Sequence, residues 1–214
     1  MSDNNKNKRA LLISRKDAFN IENIIEFISN NFDTTILVEN REKNYPASIN
    51  SWSGDYIFSY LCPWILSESL IQNAAQAAIN FHPGPPSYPG TGCYNFAIYH
   101  QEKEYGVTCH HLSKKVDTGK IIYVKKFPLH QSDGISDLIK RTYVYLNFIF
   151  FEITSGLLSK RTLPESDLIW ERKPYTKKDL NDLCKLSNKM SDEEINKRVR
   201  ATTFPGKPGP YFID

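Results

Sequence analysis

The stretch Ile79-Asn80-Phe81-His82-Pro83-Gly84-Pro85-Pro86-Ser87-Tyr88-Pro89-Gly90-Thr91-Gly92 decides how the chain is read. A mostly apolar run, Ala74 to Phe81, broken by Gln76 and Asn80, feeds into it and then stops in three Gly and four Pro. That pattern predicts a strand, or a helix-to-strand passage, that ends in a rigid loop. Pro fixes φ and removes backbone donors, and Gly supplies unusual φ values, so such a loop keeps one shape. Asn80 and His82 stand two apart, and in extended chain such residues share a face. An amide and an imidazole therefore emerge side by side at a strand end. In open α/β sheets that edge is where ligands bind. The plainer alternative is a hydrogen-bonded histidine of no special function, which the pattern alone leaves open.

Working outward, the chain alternates strand and helix signals. Ala10 to Ser14 reads as a first strand, Ile21, Ile24, Ile25 and Ile28 recur at helical spacing, and Thr34 to Val38 is strand-like by its β-branched content. Residues 39–53 are polar and contain Pro46, which predicts a loop. Tyr56 to Leu61 is the next strand, and Ser67 can cap a short helix through about Gln76 before a strand over Ala77 to Phe81. This order predicts an α/β fold whose sheet is mostly parallel with helices on both faces. Beyond the Pro/Gly loop, Cys93 to Gln101 suits a helix. Tyr105 to Leu112 and Ile121 to Phe127 are strands with no helix between them, so the sheet is expected to be mixed. Ile135 to Leu158 reads as one long helix or two. The chain after 159 is charged and Pro-rich, with a capping signature at Ser191 and Glu194 for a helix to Arg200 and an extended tail from Thr203.

The 214 residues are enough for one sizeable core or a core plus a small appendage. A net charge of +3 is too small to argue for a nucleic-acid partner. Cys62, Cys93, Cys109 and Cys184 show no paired spacing and read as reduced thiols of a cytoplasmic protein. The polar start, Met1 to Arg9, lacks the apolar core of a signal peptide. Tyr143 to Leu158 contains Asn147, Glu152 and Ser155, so it reads as a buried core helix and no membrane partner is expected.

A second group of polar residues lies in Gly106-Val107-Thr108-Cys109-His110-His111 and Val116-Asp117-Thr118-Gly119. On an extended strand His110 and His111 point to opposite faces, so one of them can face a given site. Asp117 before Thr118-Gly119 suits a turn carboxylate bonding its own backbone. A metal set drawn from His82, His110 or His111 and Asp117 matches no compact zinc spacing, so no metal is expected.

Taken together, Asn80-Phe81-His82, Gly106-Val107-Thr108-Cys109-His110 and Asp117-Thr118-Gly119 resemble, in order and spacing, the motifs of the 10-formyltetrahydrofolate-dependent formyltransferases. The resemblance covers roughly residues 9–160. It implies a Rossmann-like catalytic domain over 1–160, with 161–214 as a short C-terminal extension for dimerisation or substrate contacts. It places Asn80, His82 and Asp117 at the active centre. It also implies 10-formyltetrahydrofolate as cosubstrate, met by Pro63, Trp64, Ile65 and Leu66 on one wall and by Ser113, Lys114 and Val116 on the other. The Pro/Gly loop and the tail look most like the short enzymes that formylate nucleotide-linked amino sugars. These include the dTDP-4-amino-4,6-dideoxyglucose enzymes of O-antigen and lipopolysaccharide pathways. The glycinamide ribonucleotide branch, the alternative, carries a Gly-rich phosphate loop after its first strand, where this chain has Ser14-Arg15-Lys16-Asp17. A non-catalytic nucleotide-sugar or folate-binding protein of the same fold is the other alternative. For the sugar nucleotide, Pro85, Tyr88, Gly90, Tyr94, Asn95 and His110 supply aromatic, amide and backbone groups, and Arg200 and Lys207 supply cations for a diphosphate. The resemblance also implies a homodimer.

Overall fold

The structure is a computed structural model and describes residues 7–40, 42–206 and 208–214. Its centre is a six-stranded sheet in the order β2-β1-β3-β4-β5-β6. The strands are β1 (Arg9–Arg15), β2 (Asp33–Glu39), β3 (Gly54–Tyr60), β4 (Ala74–His82), β5 (Glu104–His111) and β6 (Ile121–Pro128). β1 to β4 pair in parallel, whereas β5 and β6 run antiparallel to their neighbours. The mixed, mostly parallel sheet agrees with the expectation from the strand and helix order.

Strand alternation sorts the apolar residues onto two unequal faces. Leu12, Phe58, Tyr60, Ile79, Phe81, Val107 and Cys109 point to a thick layer built by α1 (Ile21–Asn31), α3 (Cys93–Tyr99) and the long α4 (Ile135–Leu158). Each large side chain buried there contributes roughly 1.5–3 kcal/mol. Leu11, Ile13, Ile57 and Ala78 point to a thinner layer formed by Trp52, the 3-10 turn at Ala47–Ser51, and Leu66 and Leu70 of the α2 region (Glu68–Gln72). The thin layer stops short of the carboxyl ends of β3 and β4, and there the sheet edge opens into a cavity.

The α2 helix is shorter than its sequence suggests. Asn73 donates from Nδ2 to the carbonyls of Asn50 and Trp52, and its own carbonyl accepts from Gly54 N. The chain is thereby turned into β4 at Ala74, with Ala74 paired to Gly54.

After α4, residues 159–176 run without regular structure, followed by α5 (Lys177–Cys184), β7 (Lys185–Leu186), α6 (Asp192–Thr202) and β8 (Tyr211–Phe212). The α5 helix lies in a stretch that the sequence pattern reads as charged and irregular. Its signal is Thr176-x-x-Asp179, a reciprocal cap in which Thr176 Oγ1 accepts from Asp179 N and Asp179 Oδ2 accepts from Thr176 N. At α6 the cap is one-sided. Ser191 Oγ accepts from Glu194 N, while the Glu194 carboxylate accepts from Arg198 and Tyr99 instead. The α6 helix thereby docks on α3, and Asn95 donates to the Ala201 carbonyl at 2.7 Å.

Candidate active site

Strand register brings the polar residues together. Ile79 and Phe81 fill the thick core, so Asn80 and His82 point to the open side. Parallel pairing sets Ser59 beside Asn80, and antiparallel pairing sets His110 opposite Asn80 and Thr108 opposite His82. A hydrogen-bonded row results across three strands. Ser59 Oγ donates to Asn80 Oδ1 at 2.7 Å, Asn80 Nδ2 lies 3.0 Å from His110 Nε2, and His110 Nδ1 lies 2.8 Å from the His111 carbonyl. The roles follow from the ends. A backbone carbonyl only accepts, so Nδ1 of His110 carries a proton, and Nε2 faces both the Asn80 amide and the Asp117 carboxylate. At least one N–H of Asn80 is left over for the cavity.

Asp117 joins the two imidazoles. Its Oδ2 lies 3.2 Å from His82 Nδ1, and its Oδ1 lies 3.3 Å from His110 Nε2. Gly90 N donates to Oδ2 at 2.7 Å, so the Pro/Gly loop itself holds the carboxylate. His82 Nε2 lies 3.0 Å from the Tyr88 carbonyl in the same loop. Two glycines make this packing possible. Gly90 has φ +86° and sits where a Cβ would run into the Tyr175 backbone, and a Cβ at Gly119 would overlap the His111 carbonyl. His82, His110 and Asp117 are all buried.

A residue from outside these motifs packs against both imidazoles. Trp170 of the irregular segment presents its ring edgewise to His110, at 4.9 Å between centroids, and to His82, at 5.8 Å. Its indole N–H donates to the Gly119 carbonyl at 2.8 Å. The segment is sewn to the Pro/Gly loop by Glu171 N to Pro86 O, Tyr175 N to Pro89 O and Thr91 N to Tyr175 O.

The cavity above these groups has a volume of about 650 Å³, within the usual range for small-molecule sites. Ser59, Asn80, His82, His110 and Asp117 line one side. Pro63, Trp64, Ile65 and Leu66 face them with Leu112, Ser113 and Val116, and Gly90, Thr91 and Gly92 form the loop side.

A comparison with known proteins matches residues 5–146 to the formyl transferase family model. The chain belongs to the formyl transferase family. It is 27% identical over 177 residues to the bifunctional polymyxin resistance protein ArnA of Wigglesworthia glossinidia brevipalpis, a match covering 78% of this chain and 27% of that protein. The chain thus spans about a quarter of that relative's length. Among solved structures it resembles a 4-N formyltransferase from Francisella tularensis, with a TM-score of 0.80, 18% identity and coverage of 97% and 93% of the two chains. It also resembles an N-formyltransferase from Helicobacter canadensis in complex with folinic acid and dTDP-3-aminofucose, with a TM-score of 0.69, 17% identity and coverage of 91% and 80%.

In this formyl transferase chain the other residues singled out from the sequence fall in several places. Pro63, Trp64, Ile65, Leu66, Ser113, Val116, Gly90 and His110 line the cavity. Lys114 turns away to Glu68 at 3.1 Å, and its neighbour Lys115 takes the cavity position. Pro85 closes a loop turn by accepting from Tyr88 N. Tyr88 is buried with Oη donating to Glu102, and it serves the site through its carbonyl. Tyr94 Oη is buried and makes no hydrogen bond. Asn95 is spent on α6, and Arg200 donates to the backbone carbonyls of His130 and Asp133. Lys207 lies outside the described residues. No cluster of three or more metal-ligating side chains occurs among the described residues.

Electrostatics assigns the protonation states. Burial holds the His82 imidazole below its ordinary value, with Asp117 pulling the other way. Burial also pushes the Asp117 carboxyl up, but the neighbouring His82 and His110 imidazoles and the Gly90 N–H outweigh it and leave it well below the usual carboxylate range. At neutral pH Asp117 is therefore an anion and His82 is neutral. Since Nε2 is committed to the Tyr88 carbonyl, Nδ1 is the proton-accepting atom, and the cation formed there meets Asp117. Asp117→Asn removes the charge that raises the His82 pKa. The acid limb of the pH–rate profile should then move to lower pH, with kcat falling by about 10²-fold, the lower end for acid–base assistance. An unchanged profile would leave Asp117 as a loop-holding residue only.

Proposed function

We propose that the chain is an N-formyltransferase that moves the formyl group of 10-formyltetrahydrofolate to the amine of a nucleotide-linked amino sugar. The expected acceptor is dTDP-4-amino-4,6-dideoxyglucose, in cytoplasmic assembly of O-antigen or a related polysaccharide. The observation that carries this assignment is the spare N–H of Asn80 standing beside the His82–Asp117 pair in one cavity. Membership of the formyl transferase family and the likeness to a fold that has been seen with folinic acid and dTDP-3-aminofucose support it.

The cavity suits a folate. Trp64, Leu66, Leu112 and Val116 give an apolar slot, and Ile65 and Val116 remain 69% and 42% exposed beside it, which leaves apolar surface for a ligand to cover. The bound folate supplies an activated formyl group. The chain's own residues do the rest. His82 Nδ1 takes the proton from the attacking amine, directly or through water, and Asp117 stabilises the imidazolium. Asn80 Nδ2 donates to the oxygen that becomes anionic as the amine adds to the formyl carbon. The imidazolium then returns the proton to the departing folate nitrogen.

Thermal unfolding tests the acceptor class. dTDP is expected to raise the melting temperature, whereas a glycinamide ribonucleotide analogue and tRNA are not. Protection by the glycinamide analogue with none by dTDP would overturn the acceptor while leaving formyl transfer in place. A homodimer through the C-terminal extension is part of the same proposal. Tyr211, Phe212 and Ile213 are 43%, 53% and 59% exposed at the end of the chain, and two-fold dimers are the commonest oligomers. Light scattering at micromolar concentration should give twice the chain mass, and a monomer mass there counts against it.

A further inference from the structure

Arg15 ends β1 at the carboxyl edge of the sheet, between strands whose connections leave in opposite directions to β2 and β3. That is the switch point at which open α/β sheets bind ligands. Its side chain is 5% exposed and lines the cavity that holds His82 and Asn80. Nη2 donates to Tyr143 Oη at 2.6 Å. Nε is buried with no hydrogen bond, its nearest anion being Asp17 Oδ1 at 3.5 Å, on a side chain that is 68% exposed. Nη1 donates to no group among the described residues. The other buried side-chain polar atom without a hydrogen bond among the described residues is Tyr94 Oη, and Tyr94 lies close enough to feel the charge of Arg15. A buried guanidinium held by one neutral hydroxyl and a distant carboxylate is costly unless an anion completes it.

The cavity has the right sign for that anion. Arg15, Lys115 and Lys177 line it, and its one lining carboxylate among the described residues, Asp117, is already committed to His82, His110 and Gly90 N. Lys177 opens α5 and forms no ion pair among the described residues. Of the two cations named from the sequence, Arg200 is spent on the backbone before α4, and Lys207 lies outside the described residues.

We propose that Arg15 and Lys177 form the subsite for the acceptor's diphosphate, with the planar guanidinium as the bidentate ligand and the ammonium as a second point charge. The subsite rests on the assignment of a nucleotide-linked acceptor. It places the nucleotide on the β1 side of His82 and the folate on the Trp64 side. It also accounts for the missing Gly-rich turn after β1, because a side chain does here what backbone N–H groups would do.

The test is calorimetric titration of the full chain with inorganic pyrophosphate, and separately with dTDP and folinic acid. Wild type should bind pyrophosphate. Arg15→Met should weaken that binding by about 10- to 100-fold while folinic acid affinity stays the same. Asp17→Asn changes an exposed residue, so the fold is safe, and by removing the competing carboxylate it should tighten pyrophosphate binding by a few-fold. Wild type blind to pyrophosphate, Arg15→Met binding it as wild type does, or Asp17→Asn binding it no tighter would each overturn the subsite. If Arg15→Met does not fold, Lys177→Met, on an exposed helix start, takes its place with a loss of several-fold expected and unchanged binding as the overturning result. If the variants respond to pyrophosphate as expected but dTDP gains nothing over it, the phosphate site stands and the nucleotide part of the acceptor assignment fails.

Discussion

His82→Ala is expected to lower kcat by roughly 10²–10⁴-fold, the range for removing a general base, while folinic acid still binds. The expectation rests on how the ring is held. Nε2 is fixed on the Tyr88 carbonyl at 3.0 Å, so Nδ1 alone is left to take a proton, and Asp117 waits 3.2 Å away for the cation. The apolar slot proposed for folate is lined by Trp64, Leu66 and Leu112 on the thin face. Loss confined to kcat thus separates a base from a residue that shapes the pocket. If the variant keeps more than a tenth of wild-type kcat, His82 is not the base and the proton leaves by another group.

Asn80→Ala should lower kcat by roughly 10²–10³-fold, as for loss of one donor to a developing oxyanion. It should also cost stability, because Ser59 Oγ loses its acceptor in a closed environment. A group left unpaired in this way costs about 1–3 kcal/mol. Asn80→Asp separates the two effects. The carboxylate can still accept from Ser59 but offers no N–H to the reacting oxygen, so it should be nearly as slow as the alanine variant. Activity close to wild type in Asn80→Asp would remove the oxyanion role.

The strands and the two polar motifs were legible because each depends on local signals. Ala10 to Ser14, Tyr56 to Leu61 and the Pro/Gly loop announce a parallel sheet ending in a stiff edge, and the Asn-x-His spacing puts two side chains on one face. What depends on register was not legible. Ser59 sits 21 positions before Asn80, and only the pairing of β3 with β4 makes it the hydroxyl that orients the amide. Which of His110 and His111 faces the site was open for the same reason, and the pairing of Asn80 with His110 decides it. Trp170 reads as one aromatic in a charged segment, and nothing nearby signals that the chain turns back beneath both imidazoles. At Ser14 to Asp17 the missing glycine shows in the sequence, but the buried cation in its place does not. Burial of an arginine depends on Tyr143, 128 residues away on α4. Arg200 shows the converse, a cation that looks free in the sequence and is engaged by backbone carbonyls in the fold.

Formylation of the amine of a nucleotide-linked sugar is the reaction proposed for this site. The measurement that tests it most directly is mass spectrometry of a panel of nucleotide-linked amino sugars after incubation with the protein and isotopically labelled 10-formyltetrahydrofolate. The predicted result is labelled formyl on a dTDP-linked 4-amino-4,6-dideoxyhexose, abolished in His82→Ala and Asn80→Ala. Folate binding with no labelled product from any amino sugar in the panel would contradict the claim.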